Sequence, residues 1–212
     1  ATGTIKAVKT WKAVDGSTLS GANIADLSCS VQLYCNNTPM TGAAYTVTLN
    51  AANSWTYQWI YLPLDSNQLY SVHEVSISKG GTVIQTGEAT AKYAVAYTNN
   101  AGIATGNIQI TNRVATGTIT VNKVWYAEDG SLLTGSAVSS LSVTVQLYCN
   151  NIPMTGPPYT VTLNSANSFS HTWTDLAINS GQKYSIREAP YAGYKTAYLN
   201  NNGISYGTVT VN

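Results

Sequence analysis

The chain has 212 residues, of which 9% are charged and 44% are hydrophobic, and its formal net charge is +1. This balance argues against a nucleic-acid partner and against binding at an anionic membrane surface. The sequence has no signal peptide, lipidation motif or apolar run of about 18 residues, so we expect an excised or processed mature region without membrane insertion.

The first predicted strand carries a lysine on its apolar face. In TIKAVKTW, Lys9 lies on the same side as Ala7 and Trp11, because successive strand residues alternate between faces. Burying a lone charge is very unfavourable. Lys9 is therefore expected to meet a partner inside the domain.

The next strands, CSVQLYC, YTVTLN and WTYQWIYL, alternate apolar and polar residues. Cys29 and Cys35 share a face of the first of these, and one extended strand holds them too far apart for a mutual disulfide. We interpret them, together with Cys149, as small buried hydrophobic residues and not as redox or metal groups.

Two later strands also direct a polar residue inward. In YSVHEVSI, Glu74 shares a face with Val72, whereas His73 points outward and is interpreted as a surface histidine. In GNIQITN, Asn112 shares a face with Ile110. A lysine, a glutamate and an asparagine are thus all predicted on the core side of one sandwich.

The second half of the chain repeats the first. VQLYCNNTPMTGAAYTVTLN begins at position 31 and VQLYCNNIPMTGPPYTVTLN at position 145, a register of 145 − 31 = 114 residues. The register pairs Lys9 with Lys123 and Glu74 with Glu188. After Glu74 the first copy has 13 extra residues, around SKGGTVIQTGEATAK, which we expect to form a surface hairpin or loop. We predict two domains, 1–113 and 114–212.

About seven short strands per half, separated by turn-formers such as NNTPMTG and DGS, predict an all-β fold of two tandem immunoglobulin-like β-sandwiches. The chain has no GxSxG, CxxC or phosphate-binding loop, and His73 and His171 are not equivalent in the repeat. We expect no cofactor, no metal ion and no enzyme acting on an external substrate.

Taken together, V-x-K-x-W (VNKVW in the second copy), VQLY…VTLN, Y-x-V-x-E and I-T-N resemble the Cna B-type domain of Gram-positive surface adhesins and pilins. The resemblance covers almost the whole chain, twice, and YSIREAPYAGY is similar to the glutamate motif of that family. It implies a spontaneous isopeptide bond between Lys9 and Asn112, promoted by Glu74. For the second copy it implies Lys123 as the amine and Glu188 as the promoting acid.

These residue types suit that chemistry. Burial lowers the pKa of a lysine and raises that of a glutamate, so the pair can exist as a neutral amine and a neutral acid. The amine of Lys9 can attack the carboxamide carbon of Asn112, while Glu74 hydrogen-bonds the amide oxygen and passes protons to the leaving ammonia. The alternative is a buried Lys–Glu ion pair that is hydrogen-bonded to the asparagine without a covalent bond.

The acceptor in the second copy is less clearly marked. Val211 matches Ile110, an offset of 101, so Asn112 matches position 213, one past the last residue. Asn212 falls on the opposite face unless a bulge turns it inward. We take Asn212 as the predicted acceptor, the alternative being a residue outside this sequence.

The predicted function is that of a structural stalk or pilin-like module of a bacterial surface protein, outside the cell, at the cell wall or in a pilus. Its expected partners are neighbouring domains or subunits of a surface fibre. The alternative is an adhesin module that binds glycan or host matrix through its 15 tyrosines and 5 tryptophans. An exposed aromatic strip would favour that alternative, but Trp11 and Trp59 share faces with apolar neighbours and are expected in the core.

Overall fold

The computed structural model describes residues 1–65, 67–178 and 181–212. Within these residues every regular element is a β-strand or a single turn of 3-10 helix, so the predicted all-β class is confirmed. The chain divides into two compact units, Ala1–Ala115 and Thr116–Asn212. In the described part of the chain, no helix has the length and apolar character needed to span a membrane.

The first unit is built from ten strands. They are β1 (Thr2–Lys12), β2 (Thr18–Leu19), β3 (Leu27–Cys35), β4 (Thr38–Pro39), β5 (Thr46–Asn50), β6 (Thr56–Pro63), β7 (Tyr70–Lys79), β8 (Thr82–Thr86), β9 (Tyr93–Thr98) and β10 (Gly106–Val114). Single 3-10 turns lie at Gly21–Asn23 and Ala51–Asn53.

These strands form two sheets. One has the order β2-β1-β10-β9, with β6 also paired to β1, and the other has the order β4-β3-β7-β8, with β5 paired to β3. β1 and β10 are neighbours and run parallel, although they are the first and last strands of the unit. The 13 extra residues fall within the stretch where β7 turns back into β8 as an antiparallel hairpin.

Turn chemistry explains where several strands reverse. Asn36 and Asn37 have φ angles of 48° and 62°, a left-handed pair that joins β3 to β4. Asn50 ends β5 and accepts hydrogen bonds from the backbone of Ala52 and Asn53, so its side chain caps the following 3-10 turn. Both signals were visible in the sequence as turn-forming asparagines.

The second unit repeats this arrangement in outline, but several of its strands are shorter. Its strands are β11 (Thr116–Lys123), β12 (Trp125–Tyr126), β13 (Leu132–Leu133), β14 (Ser142–Cys149), β15 (Ile152–Pro153), β16 (Thr160–Asn164), β17 (Ser170–Ala177), β18 (Tyr184–Glu188), β19 (Tyr198–Leu199) and β20 (Gly207–Val211). Single 3-10 turns lie at Gly135–Ala137, Pro157–Tyr159 and Ser165–Asn167. β12 and β13 form a separate two-stranded sheet. β11 and β20 pair in parallel, as β1 and β10 do.

Each unit has its own apolar core, formed by the inward residues of both sheets. In the first unit β1 contributes Ile5 and Trp11 while β3 contributes Val31 and Leu33, all at most 1% exposed. The polar residues of interest lie within these cores, because they occupy inward positions of the same alternating strands.

Candidate functional site

β1 carries Lys9 into the interior of the first unit. The alternation of the strand buries Lys9 between Ala7 and Trp11, and only 4% of the lysine remains exposed. Its Nζ lies 4.2 Å from the centroid of the Trp11 ring, a cation–π contact.

A β-bulge in β7 follows directly after Glu74. Glu74 pairs with Val31 of β3, but the next pair joins Ser76 to Ser30, which leaves Val75 as the extra residue. The bulge places Val75 outward at 37% exposure, whereas Glu74 is 3% exposed. The glutamate therefore occupies the last inward position before the strand changes face.

Asn112 completes the first site, which we define as Lys9, Glu74 and Asn112. β10 places Asn112 beside Trp11 in the parallel pairing with β1. Lys9 Nζ donates a hydrogen bond to Asn112 Oδ1, and Asn112 Nδ2 donates to Glu74 Oε1 at 3.1 Å. The prediction that Glu74 bonds the amide oxygen is therefore wrong for the unreacted site, because the lysine occupies that oxygen. The distance from Lys9 Nζ to Glu74 Oε2 is 3.6 Å, and both side chains are fully buried. An amine, a carboxyl group and a carboxamide thus meet away from water.

Burial makes the Lys9 amine easier to deprotonate. Loss of hydration, opposed by the nearby Cys29 and Glu74, lowers the pKa of Lys9 from 10.5 to about 8. About a tenth of such amines are neutral at pH 7, against about one in three thousand for an ordinary lysine. The nucleophilic form is therefore far better populated than it is on a protein surface.

Cys29 is a member of the site environment that the sequence did not reveal. Its thiol lies 3.2 Å from Glu74 Oε2 and donates a hydrogen bond to it. The cysteine is fully buried, in agreement with its interpretation as a core residue, but its contact is polar. The sequence contains no motif that predicts this contact. It shows only that the two copies differ here, because the second copy has Val143 at the equivalent position.

Two residues that follow β8 in the chain, Glu88 and Tyr97, form hydrogen bonds with the backbone of Glu74. Its N–H donates to the hydroxyl of Tyr97 at 2.8 Å and to Glu88 Oε1 at 3.2 Å, and Tyr97 donates to the same Glu88 oxygen at 2.5 Å. Burial, followed by the Glu88 hydrogen bond, raises the pKa of Tyr97, which keeps its hydroxyl protonated. Glu88 Oε1 also lies 2.9 Å from Nδ1 of His73, which is partly exposed as predicted.

The second unit brings together two of its three predicted residues. Lys123 Nζ lies 3.2 Å from Glu188 Oε2 and 4.3 Å from the centroid of the Trp125 ring. Glu188 Oε1 accepts from Thr196 Oγ1 at 2.9 Å. Oε2 is buried and, among the described residues, accepts no hydrogen bond of acceptable geometry. We call Lys123 and Glu188 the second site.

Asn212 directly follows β20. The pairing of β11 with β20 sets Lys123 opposite Val211 and runs without a register shift. The backbone N–H and C=O of Asn212 both bond to Ala197, at 2.8 Å and 3.0 Å. Asn212 and Lys123 border one open pocket of about 700 Å³. In the described part of the chain, no hydrogen bond joins the Asn212 side chain to Lys123 or Glu188, so its acceptor role stays a prediction.

The chain belongs to the Cna protein B-type domain family, whose sequence model matches residues 5–113 and 119–210. The predicted tandem of Cna B-type domains is therefore confirmed. Comparison with curated proteins returned no match.

Solved structures similar to this chain include three surface proteins. The B1 repeat unit of the collagen binding surface protein (Cna) of Staphylococcus aureus has 22% identity over 100% of this chain and 98% of that chain, with a TM-score of 0.35. The pilus adhesin SpaC of Lactobacillus rhamnosus GG has 15% identity over 98% of this chain and 28% of its own, with a TM-score of 0.45. The major pilin of Streptococcus pyogenes has 14% identity over 100% of this chain and 98% of its own, with a TM-score of 0.35. The family assignment rests on the sequence match.

Proposed function

We propose that the first unit forms an isopeptide bond between Lys9 Nζ and Asn112 Cγ, and that the chain is a structural module of a bacterial surface fibre. One observation carries the proposal: Lys9, Glu74 and Asn112 meet in a single buried site although the lysine and the asparagine are 103 positions apart. A water-free site of this kind favours attack by an amine over hydrolysis.

The reaction balances without any external reactant. Lys9 gives a proton to Glu74 and attacks Asn112 Cγ as a neutral amine, so that the Nζ–Cγ bond forms. Nζ releases two protons in all as it changes from an ammonium group to an amide nitrogen. The Cγ–Nδ2 bond breaks, and Nδ2, which already carries two hydrogens, takes up both protons and leaves as ammonium, that is, as ammonia together with the proton that Lys9 first carried. Glu74 Oε1, 3.1 Å from Nδ2, is placed to deliver the proton to this leaving nitrogen. The carboxyl group ends as it began and acts once, on its own chain.

Such a bond would stabilise the fold by joining its first and last strands. A crosslink that closes a loop of about 100 residues stabilises the folded state by up to about 4–5 kcal/mol in the loop-entropy estimate used for disulfides. Membership of the Cna B-type family supports an extracellular location, at the cell wall or in a pilus. Neighbouring domains or fibre subunits are the proposed partners.

The positions of the tryptophans do not favour the ligand-binding alternative. Trp11, Trp59, Trp125 and Trp173 are each at most 4% exposed, so these rings fill the cores and do not form a binding strip. Binding of glycan or host matrix would have to use the exposed tyrosines, such as Tyr61 at 76% exposure.

Intact mass tests the bond directly. Each isopeptide bond expels one ammonia, so one bond lowers the mass by about 17 Da relative to the sequence and two bonds by about 34 Da. Asn112→Ala should restore about 17 Da beyond the change of residue. Asn212→Ala should do the same only if Asn212 is the second acceptor. A wild-type mass equal to the sequence mass would leave the buried ion pair as the correct interpretation.

Glu74→Ala separates the role of the acid from that of the fold. The variant should lose the joined tryptic peptides that contain Lys9 and Asn112, because the amine loses its proton acceptor and the leaving nitrogen its donor. Glu88→Ala is the matched control and should leave the peptides joined, since the Glu88 carboxylate contacts Tyr97, His73 and the backbone N–H of Glu74 but not the Glu74 side chain. Joined peptides in Glu74→Ala would show that the glutamate is only structural.

A further inference from the structure

Glu74 uses its two oxygens for different partners. Oε1 accepts from the Asn112 amide at 3.1 Å, while Oε2 accepts from the Cys29 thiol at 3.2 Å and lies 3.6 Å from Lys9 Nζ. Cys29 belongs to β3 and is fully buried. The thiol and the carboxamide therefore hold the carboxyl group from opposite sides.

The second unit shows the same strands without the thiol. Val143 replaces Cys29, since 29 + 114 = 143, and it pairs with Leu163 as Cys29 pairs with Leu49. There Glu188 Oε2 is buried and lies 3.2 Å from Lys123 Nζ, but among the described residues it accepts no hydrogen bond of acceptable geometry, and no side chain takes the place of the thiol. The same strand packing therefore occurs in both units, but a thiol that donates a hydrogen bond to the glutamate Oε2 is found in the first site and not in the second.

We propose that Cys29 is a positioning residue for the Lys9–Asn112 reaction, because its thiol keeps Oε2 of Glu74 as a hydrogen-bond acceptor and so leaves the carboxyl proton on Oε1. This inference rests on the proposed isopeptide bond. A protonated carboxyl group has one donor oxygen and one acceptor oxygen, and a thiol donating to Oε2 favours the arrangement in which Oε1 carries the proton. Before the attack, Oε1 accepts a hydrogen bond from the planar amide nitrogen Nδ2. Once Nζ has bonded to Cγ, Nδ2 is a tetrahedral amine with a lone pair, and a proton on Oε1 is then placed to reach it.

The thiol is suited to a constant donor role. Burial and the neighbouring Glu74 raise the pKa of Cys29, against the effect of Lys9, so the sulfur keeps its proton throughout the physiological range. It takes no part in forming or breaking the covalent bond. Its contribution is to the orientation of the acid, which should appear in the rate of bond formation.

The test compares three substitutions in the full chain. Protein is made by cell-free synthesis, synthesis is stopped, and joined tryptic peptides containing Lys9 and Asn112 are quantified over time. Cys29→Val copies the residue of the second unit and should slow joining about tenfold, the effect of losing one buried hydrogen bond to an ionisable group. Cys29→Ser keeps a donor and should remain within about threefold of wild type. Leu49→Val alters packing beside Cys29 and should also keep the wild-type rate.

Stability provides the readout that separates positioning from packing. In the Asn112→Ala background, where the first site cannot react, Cys29→Val should be more stable to urea than Cys29→Ser, because valine suits an apolar core better. If Cys29 acts only through packing, Cys29→Val should also join its peptides faster than Cys29→Ser. If Cys29 positions Glu74, Cys29→Ser should join them faster than Cys29→Val. Joining in Cys29→Val at the wild-type rate, or faster than in Cys29→Ser, would overturn the inference while leaving the bond intact. A wild-type chain that never joins would overturn the proposed function as well.

Discussion

At the scale of single residues, the two buried lysines differ in one partner. Lys9 and Lys123 each lie over a tryptophan ring and near a glutamate, at 3.6 Å and 3.2 Å respectively. Among the described residues, only Lys9 of the two also contacts a carboxamide, that of Asn112. The first site therefore holds a complete set of amine, acid and acceptor, whereas the second has the amine and the acid.

The unreacted Lys9 should make stability depend on pH. In Asn112→Ala, the free energy of unfolding should rise as the pH increases from about 8 to 10. The pKa of Lys9 is about 8 when folded and 10.5 in its reference state, so within this window the unfolded chain holds more protons and deprotonation favours the folded state. The gain is at most about 3 kcal/mol.

Urea denaturation of Asn112→Ala at a series of pH values measures this slope. The double variant Asn112→Ala/Lys9→Met is the control, because methionine fills a similar volume and does not titrate. Equal slopes in both proteins would show that Lys9 does not have the lowered pKa.

At the scale of strands, the extra residues of the first unit support the strand that carries the acid. β7 continues past the bulge at Val75 and turns back into β8, after which Glu88 and Tyr97 reach the backbone of Glu74. In the described part of the second unit, the Tyr198 hydroxyl alone accepts from the Glu188 N–H, at 2.9 Å. The insertion thus adds a carboxylate to a contact that both units share.

Removing that carboxylate should loosen the strand locally. In Glu88→Ala, amide hydrogen exchange at Glu74 should become about tenfold faster, because one acceptor of its N–H is lost and Tyr97 loses its own acceptor. NMR exchange rates measure this at single residues. Thr82→Ala, an exposed change in β8, should leave the rate unaltered. An unchanged exchange rate in Glu88→Ala would show that the hydrogen bond to the Tyr97 hydroxyl is enough to protect the Glu74 amide.

The inward faces of Lys9, Glu74 and Asn112 could be predicted because strand alternation has a fixed period and the repeat marks which charges are kept. The match of Val211 to Ile110, predicted from the repeat, agrees with the structure, where each of them pairs with the lysine of its own unit. The bulge at Val75 could not be predicted, since no glycine or proline marks it. The role of Cys29 was also hidden, because a buried cysteine is normally a small hydrophobic residue.

At the scale of the whole molecule, the last two strands of the first unit are longer than the last two strands of the second unit. β10 has nine residues and β9 six, whereas β20 has five and β19 two. The sheet that carries Lys9 and Asn112 therefore pairs over a greater length than its counterpart. Together with the proposed bond at Lys9, this difference should make the first unit the more resistant of the two to unfolding.

Thermal unfolding followed by calorimetry should show this asymmetry as two transitions. Asn112→Ala should lower the upper transition and leave the lower one in place, because only the first unit loses its loop closure. Glu88→Gln, which should keep the fold and the bond, is the control for surface charge. A single transition that moves as a whole would contradict independent units.

The parallel pairing of β1 with β10 has a consequence for the length of the chain under load. A bond between Lys9 and Asn112 encloses 112 − 9 − 1 = 102 residues, which could not be drawn out even if the sandwich lost its structure. At about 3.4 Å per extended residue, some 350 Å of contour length is withheld from any force applied at the two ends of the unit. A tether made of such units would keep nearly the same reach whether its domains were folded or not.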